Sequence, residues 1–438
     1  MVIKPDTKPE FLCMAPWTHT YLSPQSERRL CCASREPAQN FKQYIDTNDG
    51  TGEYKPMTLD EWWNSEHVRT IRKTMMNGDI PDACQVCNHK LLNTDVYRGY
   101  FWHMFNQHYD SIWETTDETG HTTMQPISWD YRFSNLCNFK CRMCGDMLSS
   151  SWETEVKKHG LYEAGNVQTD WLQEPIRSNM RRWQTDAAEN EFGAAVRNGT
   201  VEEIYWVGGE PLMFEQHWEY MRTIVDMGYA NRVYARYNTN LSRVNYKGDN
   251  LWDLLSHFRD WQVCASIDGT GEVGEYIRTG LKYNEWLDNF KQGVSVMKHN
   301  RQLKLDYTLT LPGLLEIKNM TKLSQELNVE LLTKVTFAFD PSILLSPMAL
   351  PRDTLNEIID ENLEWLTKNA THLQQSLIDV LENMKNRPTF EEQWGDWTSE
   401  KMPEGKKWYQ RLDKIRQGHS MEYILKSDPR ILDWWNNI

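Results

Sequence analysis

The stretch Leu136-Cys-Asn-Phe-Lys-Cys-Arg-Met-Cys-Gly145 places Cys137, Cys141 and Cys144 in a C-x3-C-x2-C spacing. Three thiolates can surround one point, and the stretch supplies no fourth ligand. A structural zinc site closes its tetrahedron with four protein ligands. A cubane iron–sulfur cluster held by three thiolates instead leaves one iron open to a reactant. The spacing favours such a cluster, with zinc as the alternative.

The overall charge and the cysteine usage narrow the functional classes. The chain has 438 residues and a formal charge of -14, which argues against the lysine- and arginine-rich surface that nucleic acids require. No run of eighteen apolar residues and no apolar N-terminal signal are present, so we expect a cytoplasmic protein without a membrane partner. In that reducing compartment, nine cysteines fit metal ligands better than disulfides.

Strand-like segments alternate with helical patterns downstream of residue 126. Such alternation predicts an α/β fold with a parallel sheet and right-handed crossovers. Six segments favour a partial (β/α)6, TIM-like barrel over a closed eightfold barrel. The predicted strands are 127–133, 201–207, 232–237, 261–267, 304–310 and 334–339. We expect three domains: a cysteine-rich module at 1–125, the barrel at 126–344 and a helical extension at 345–438.

Polar motifs follow four of these strands, at the ends where α/β proteins carry their reactive groups. The cysteine stretch follows the first strand. The others are Gly208-Gly209-Glu210, the turn that contains Asn240, and Ser266 with the nearby Arg278. Each motif alone is typical of an ordinary turn, a helix cap or a surface charge. Their order, one at each strand end, is what makes chance a poor explanation.

Together these motifs resemble those of the radical S-adenosylmethionine (SAM) enzymes. The resemblance implies that Cys137, Cys141 and Cys144 hold a [4Fe–4S] cluster whose open iron chelates SAM. It further implies that SAM is cleaved reductively, and that the resulting 5′-deoxyadenosyl radical removes a hydrogen atom from a substrate. The cofactor contacts it implies are Met143, Gly208, Gly209, Glu210, Asn240, Ser266 and Arg278.

Two positions depart from the family pattern. Met143 stands where an aromatic residue usually contacts adenine, although a thioether also packs against a ring. Leu241 stands where the ribose-contacting turn, which contains Asn240, often has glycine.

A second cysteine set precedes the barrel in the pattern C…CC…C-x2-C. Its spacing suits zinc and an iron–sulfur cluster equally well. Because this cysteine set precedes a segment that resembles a radical SAM enzyme, the set resembles the twitch or SPASM modules, which hold an auxiliary [4Fe–4S] cluster. The implied ligands are Cys13, Cys31, Cys84 and Cys87, with Cys32 as the alternative to Cys31.

The resemblance leaves the substrate open. We expect a peptide or protein substrate, because most twitch and SPASM relatives modify these, and a small molecule as the alternative. An electron donor such as flavodoxin or ferredoxin is the implied redox partner. Two other classes compete with the enzyme: a zinc-stabilised binding protein, and an electron carrier that would not need Gly208, Gly209, Glu210 or Arg278.

Overall fold

The computed structural model describes residues 4–35, 56–89, 97–161, 174, 176–336 and 342–438. The chain divides into two compact units. The first comprises Met1–Leu136, Glu155–Arg236 and His257–Asp260. The second comprises Cys137–Thr154, Tyr237–Ser256 and Trp261–Ile438.

Ten strands are present in the described residues. They are β1 (His19–Leu22), β2 (Arg28–Arg29), β3 (Ser128–Tyr131), β4 (Glu203–Trp206), β5 (Tyr234–Thr239), β6 (Asn245–Tyr246), β7 (Asp249–Asn250), β8 (Asp260–Ser266), β9 (Leu303–Leu309) and β10 (Glu330–Val335).

Among the described residues, the first fourteen α-helices precede these strands or alternate with them along the chain. They are α1 (Ala15–Thr18), α2 (Leu59–Trp63), α3 (Glu66–Met76), α4 (Gln85–His89), α5 (Tyr97–Phe105), α6 (Tyr109–Thr115), α7 (Ser150–His159), α8 (Ile176–Ala187), α9 (Ala194–Arg197), α10 (Glu215–Asp226), α11 (Leu251–Leu255), α12 (Gly271–Ile277), α13 (Tyr283–Val296) and α14 (Ile317–Leu327). A π-helix, Ala188–Gly193, joins α8 to α9.

The remaining helices form the C-terminal extension. They are α15 (Arg352–Asn369), α16 (Gln375–Lys385), α17 (Phe390–Trp394), α18 (Asp396–Arg416), α19 (Met421–Leu425) and α20 (Pro429–Asn437). Helix α15 buries Leu355, Ile358, Ile359 and Leu366, the apolar stripe visible in the sequence. No described helix is long and apolar enough to cross a membrane.

The sheet of the first unit has the order β5-β4-β3-β1-β2. Strand β3 pairs in parallel with both β1 and β4, whereas β2 is antiparallel to β1. Strands β1 and β2 come from the N-terminal segment, which the sequence analysis did not place in the sheet. All four residues of β1 are buried, so this strand shows none of the alternation that identifies a strand in a sequence.

In the second unit the order is β10-β9-β8-β5, with β8, β9 and β10 parallel. Strand β10 covers Glu330–Val335, four residues earlier than the predicted 334–339. Part of that predicted strand, 337–339, lies outside the described residues. The α/β fold with a mostly parallel sheet is confirmed. The barrel and the three domain boundaries stay predictions.

Opposite faces of the first unit's strands differ in chemistry. Trp129 and Phe133 point to one face and pack on Phe192 of the π-helix, with ring centroids 5.3 and 5.9 Å away. Ser128 lies on the opposite face, where its hydroxyl donates to the buried Glu203 carboxylate at 2.5 Å. This alternation gives one apolar, helix-covered face and one polar face.

One carboxylate of the π-helix, that of Glu191, connects the strands of the first unit to the N-terminal segment of the same unit. Glu191 accepts two hydrogen bonds from Arg28 Nη2, at 2.8 and 3.0 Å, and one from the Leu59 amide at 2.8 Å. The Tyr131 hydroxyl donates a fourth at 2.5 Å. A π-helix turns each residue through a smaller angle than an α-helix, which changes the direction in which Glu191 points.

Candidate active site

Two glycines bring the turn after β4 against the end of the β3 segment. A β-carbon on Gly209 would lie 2.3 Å from the Leu136 carbonyl oxygen, and Gly208 has φ 133°. The Glu210 amide donates to the same Leu136 carbonyl at 2.7 Å. Only glycine permits this approach. The motif therefore lies directly beside the residue that precedes Cys137 in the chain.

The Glu210 carboxylate is buried, with 1% of the residue exposed. Its Oε1 accepts from the Leu212 amide at 3.0 Å and caps the short helical turn Pro211–Met213. This contact fixes the side chain from within the first unit. The predicted contact of Glu210 with SAM stays a prediction.

The cysteine loop lies in the second unit, where backbone pairing and helix α7 hold it. Amides of Lys140 and Arg142 donate to the carbonyls of Thr279 and Ile277, at 2.7 and 2.8 Å. The Trp152 indole donates to the Cys141 carbonyl at 2.7 Å, and Ser151 donates to the Cys137 carbonyl at 2.8 Å. The loop is therefore supported independently of any ligand.

Hydrogen-bond donors face the sulfur atoms of this loop. The Phe139 amide lies 3.4 Å from Cys137 Sγ, and Asn240 Nδ2 lies 3.8 Å from the same sulfur. Arg278 Nη1 lies 3.8 Å from Cys141 Sγ. A hydrogen bond from Cys144 lowers the pKa of the Cys141 thiol, and the Arg278 charge acts in the same direction. These donors suit sulfurs that carry negative charge, as the ligands of an iron–sulfur cluster do.

Arg278 has a partner of its own in this structure. Its Nη2 donates to Asp268 Oδ1 at 3.0 Å, and its Nε lies 2.7 Å from Oδ2. The Thr308 amide also donates to Asp268, at 2.8 Å. Burial raises the pKa of Asp268, and the Arg278 charge opposes that shift. No motif in the sequence pairs Asp268 with Arg278, and the fold shows that Asp268 orients this guanidinium.

Leu241 adopts the left-handed backbone conformation that glycine would take at this position, with φ 51°. Its side chain is completely buried. The Asn240 Oδ1 accepts from the Ser242 amide at 3.0 Å, which closes the turn. The departure from the family pattern therefore changes the side chain but keeps the shape of the turn. Met143 is half-buried in the loop, and Ser266 is the last residue of β8.

The second cysteine set lies in the first unit. Cys13, Cys31, Cys84 and Cys87 line one small cavity of about 20 Å³, together with apolar residues such as Leu30 and Phe101. Burial raises the pKa of Cys13 to about 12 and that of Cys31 well above its usual value.

Cys32 is not among the residues that line this cavity. Its thiol forms a hydrogen bond with Tyr97 and lies close enough to Asp130 and Arg132 to interact electrostatically with both. The two adjacent cysteines therefore point to different surroundings, which the sequence did not reveal.

Among the residues that the structure describes, no three His, Cys, Asp or Glu side chains are arranged around one point like the ligands of a single metal ion. A cubane differs from a single ion because each thiolate bonds a different iron.

The family comparison identifies the central segment. Residues 131–316 match the model of the radical SAM superfamily. No curated protein matches the chain significantly.

Solved structures with a similar chain trace include Streptococcus suis SuiB bound to S-adenosylmethionine, with 13% identity over 74% of this chain and 70% of that chain (TM-score 0.35). Native anSMEcpe with bound AdoMet shares 14% identity over 55% of this chain and 61% of that chain (TM-score 0.34). TYW1 with a lysine–pyruvate adduct shares 13% identity over 55% and 71% (TM-score 0.28).

The family match covers the cysteine loop, the Gly-Gly-Glu turn, Asn240, Ser266 and Arg278. Residues 131–316 thus form a radical SAM superfamily domain, and the protein is an enzyme of radical SAM chemistry with a [4Fe–4S] cluster and SAM as its cofactors.

Proposed function

We propose that this radical SAM enzyme carries a second, auxiliary [4Fe–4S] cluster in its N-terminal segment and modifies a peptide or protein. The proposal rests on one observation: Cys13, Cys31, Cys84 and Cys87 line the same cavity. Four thiols from three separate stretches of sequence meet there among apolar side chains. Four protein ligands would close the cluster, so relay of electrons is the role that we propose for it.

At the first site, Cys137, Cys141 and Cys144 would hold the SAM-binding cluster. When bound, the cluster and SAM together supply the radical that removes hydrogen from a substrate carbon. Asn240 and Arg278 would act from the second unit, where they already face Cys137 and Cys141. We assign Glu210 to the SAM ammonium, because a buried carboxylate makes its strongest contacts with a charged donor.

The rest of the predicted SAM contacts are part of the same proposal. Met143 would pack on adenine, Ser266 would bind the ribose or the carboxylate, and the backbone at Gly208 and Gly209 would contact SAM. Because Asp268 pairs with Arg278, the guanidinium keeps a fixed orientation before a carboxylate arrives.

The polar face of the first unit's strands supports a polar substrate. Asp130 pairs with Arg132 at 3.1 Å, and Glu203 pairs with Arg236 at 2.8 Å. Both guanidiniums keep 17–18% of their side-chain surface exposed. Paired charges of this kind suit the amides and charged groups of a peptide better than an apolar molecule. A polar small molecule would use the same groups.

The test is to reconstitute the protein with iron and sulfide under anaerobic conditions, count iron, and measure 5′-deoxyadenosine formed from SAM and dithionite. We expect about eight irons per chain, four for each cubane. About four irons with turnover would eliminate the auxiliary cluster and leave the radical SAM site. Zinc bound at the N-terminal cysteines would contradict the proposal.

The substrate assignment needs its own measurement. Co-expressed or lysate-derived peptides incubated with enzyme, SAM and reductant are compared by mass spectrometry with an Arg278→Ala control. A peptide or protein altered only by the native enzyme supports the assignment. If only small molecules are altered by the active enzyme, the assignment of a peptide or protein substrate is wrong.

A further inference from the structure

The second half of helix α18 presents a basic surface to solvent. Lys407, Arg411 and Lys414 are exposed at spacings of four and three residues, so they share one face of the helix. We call these three residues the basic face of α18. Neither Lys407 nor Lys414 forms an ion pair with a described residue. On a chain whose formal charge is -14, three cations together stand out.

The stabilising effect of basic residues at the end of a helix explains only one of these three residues. Basic residues in the last turn of a helix stabilise its negative end, and this accounts for Lys414. Lys407 lies more than two turns before the helix ends at Arg416, beyond the reach of that effect. The helix-end effect therefore does not explain Lys407.

The opposite side of α18 contacts the cysteine loop. Asp413 Oδ1 lies 2.6 Å from Arg142 Nη2, and Arg142 is the residue between Cys141 and Met143. Arg416 Nη1 donates to the Thr279 hydroxyl at 3.2 Å, and its guanidinium lies 4.4 Å from the Trp152 ring centroid. One helix therefore separates the basic face from the loop that holds the SAM-binding cluster.

Two stacked indoles lead from α18 to that loop. The rings of Trp408 and Trp152 are parallel within 3°, with centroids 6.4 Å apart. Trp408 is half-buried beside Lys407, and Trp152 donates to the Cys141 carbonyl at 2.7 Å. Because the rate of electron transfer falls steeply with distance, a donor is best placed where the protein over the cluster is thin.

We propose that the basic face of α18 is the docking surface for a small acidic redox protein of the flavodoxin or ferredoxin type. The proposal rests on the proposed function, because it assumes that the loop holds a cluster that must be reduced. In each turnover the donor is oxidised by one electron. That electron cleaves one SAM into methionine and a deoxyadenosyl group, which leaves as 5′-deoxyadenosine after taking a hydrogen atom from the substrate.

The chemistry of the surface supports this occupant. Complementary charge accelerates encounter and fixes orientation. Transient electron-transfer complexes use small interfaces, so the exposed face of one helix is large enough. Duplex nucleic acid and anionic membranes also attract cations, but both need broader basic surfaces than three residues on an acidic protein.

The experiment compares reconstituted native protein with the Lys407→Glu/Lys414→Glu double variant. Lys291→Glu/Lys322→Glu is the matched control, because both of its lysines are exposed on other helices. 5′-Deoxyadenosine formation is driven either by NADPH, a reductase and purified flavodoxin at subsaturating concentration, or by dithionite. Binding of oxidised flavodoxin is measured by calorimetry at low and high salt.

We expect the Lys407/Lys414 double variant to lose about tenfold or more of its flavodoxin-driven rate and its flavodoxin binding at low salt, since both depend on charge. Its dithionite-driven rate should equal that of the native protein, and the control should behave as native in every assay. Equal flavodoxin affinity in all three proteins would overturn the proposal. So would a parallel loss of the dithionite-driven rate, or charge-dependent binding of anionic vesicles or duplex DNA in place of flavodoxin.

Failure of the proposed function looks different. If native protein with full iron forms no 5′-deoxyadenosine from dithionite, the radical SAM assignment fails. Calorimetry with flavodoxin still decides whether the basic face binds this donor.

Discussion

The Asp413 carboxylate lies 2.6 Å from the Arg142 guanidinium, and this ion pair joins helix α18 to the cysteine loop. Only 2% of the Arg142 side chain and 10% of the Asp413 side chain are exposed. Arg142 also lies 3.6 Å from the centroid of the Tyr276 ring. A residue from the C-terminal extension therefore fixes the loop at the position next to Cys141.

Replacing Asp413 with alanine should weaken the cysteine loop more than the rest of the protein. Removing one partner of a buried ion pair leaves the other charge uncompensated and costs about 3–5 kcal/mol. We expect a lower Tm and faster loss of iron to a chelator from the reconstituted protein. Asp433→Ala on α20, where the aspartate is exposed, is the matched control. Equal iron retention in both variants would contradict the role of Asp413.

Replacing Gly209 with alanine should disrupt the contact between the β4 turn and the end of the β3 segment. The new β-carbon would lie 2.3 Å from the Leu136 oxygen, so the backbone would have to move. Overpacking of this kind costs about 1–3 kcal/mol. Gly418→Ala is the matched control, since nothing lies within 4 Å of the β-carbon it adds. Denaturant unfolding measures the difference, and equal stability of the two variants would refute this account of the motif.

The two adjacent cysteines should respond differently to serine substitution. Cys31 lines the cavity with Cys13, Cys84 and Cys87, whereas Cys32 does not. Reconstituted Cys31→Ser protein should lose about four irons, one cubane, and Cys32→Ser protein should lose none. Iron counting together with the absorbance of the clusters checks this prediction. The reverse result would make Cys32 the ligand.

At Leu241 two opposing effects allow a quantitative test. Its left-handed backbone costs about 1–2 kcal/mol relative to glycine. Deleting a fully buried leucine side chain costs about 2–5 kcal/mol. We therefore expect Leu241→Gly to destabilise the protein, but by less than Leu241→Ala, which loses the side chain and keeps the strain. Thermal or denaturant unfolding gives both values, and a more stable alanine variant would contradict the argument.

Sequence reasoning was most successful where a physical requirement is local. Trp129 and Phe133 were recognisable because alternation places them on one face of a strand, and they do share a face. Two consecutive glycines allow a close approach of the backbone, and the group that approaches Gly209 is the chain's own Leu136 carbonyl.

Long-range partners were not predictable in the same way. Asp413 is 271 residues from Arg142, and no pattern in the sequence joins them. Strand β1 was not predicted because it is short and all four of its residues are buried. The sequence left Cys32 as an alternative to Cys31, and it did not show that their side chains point to different surroundings.

The π-helix at Ala188–Gly193 makes this part of the chain intolerant of length changes. Deleting one residue there would restore an ordinary α-helix and change the direction in which the Glu191 side chain points. Glu191 would then release Arg28 and the start of α2 together. Homologues should accept substitutions at several of these six positions far more readily than a single-residue deletion.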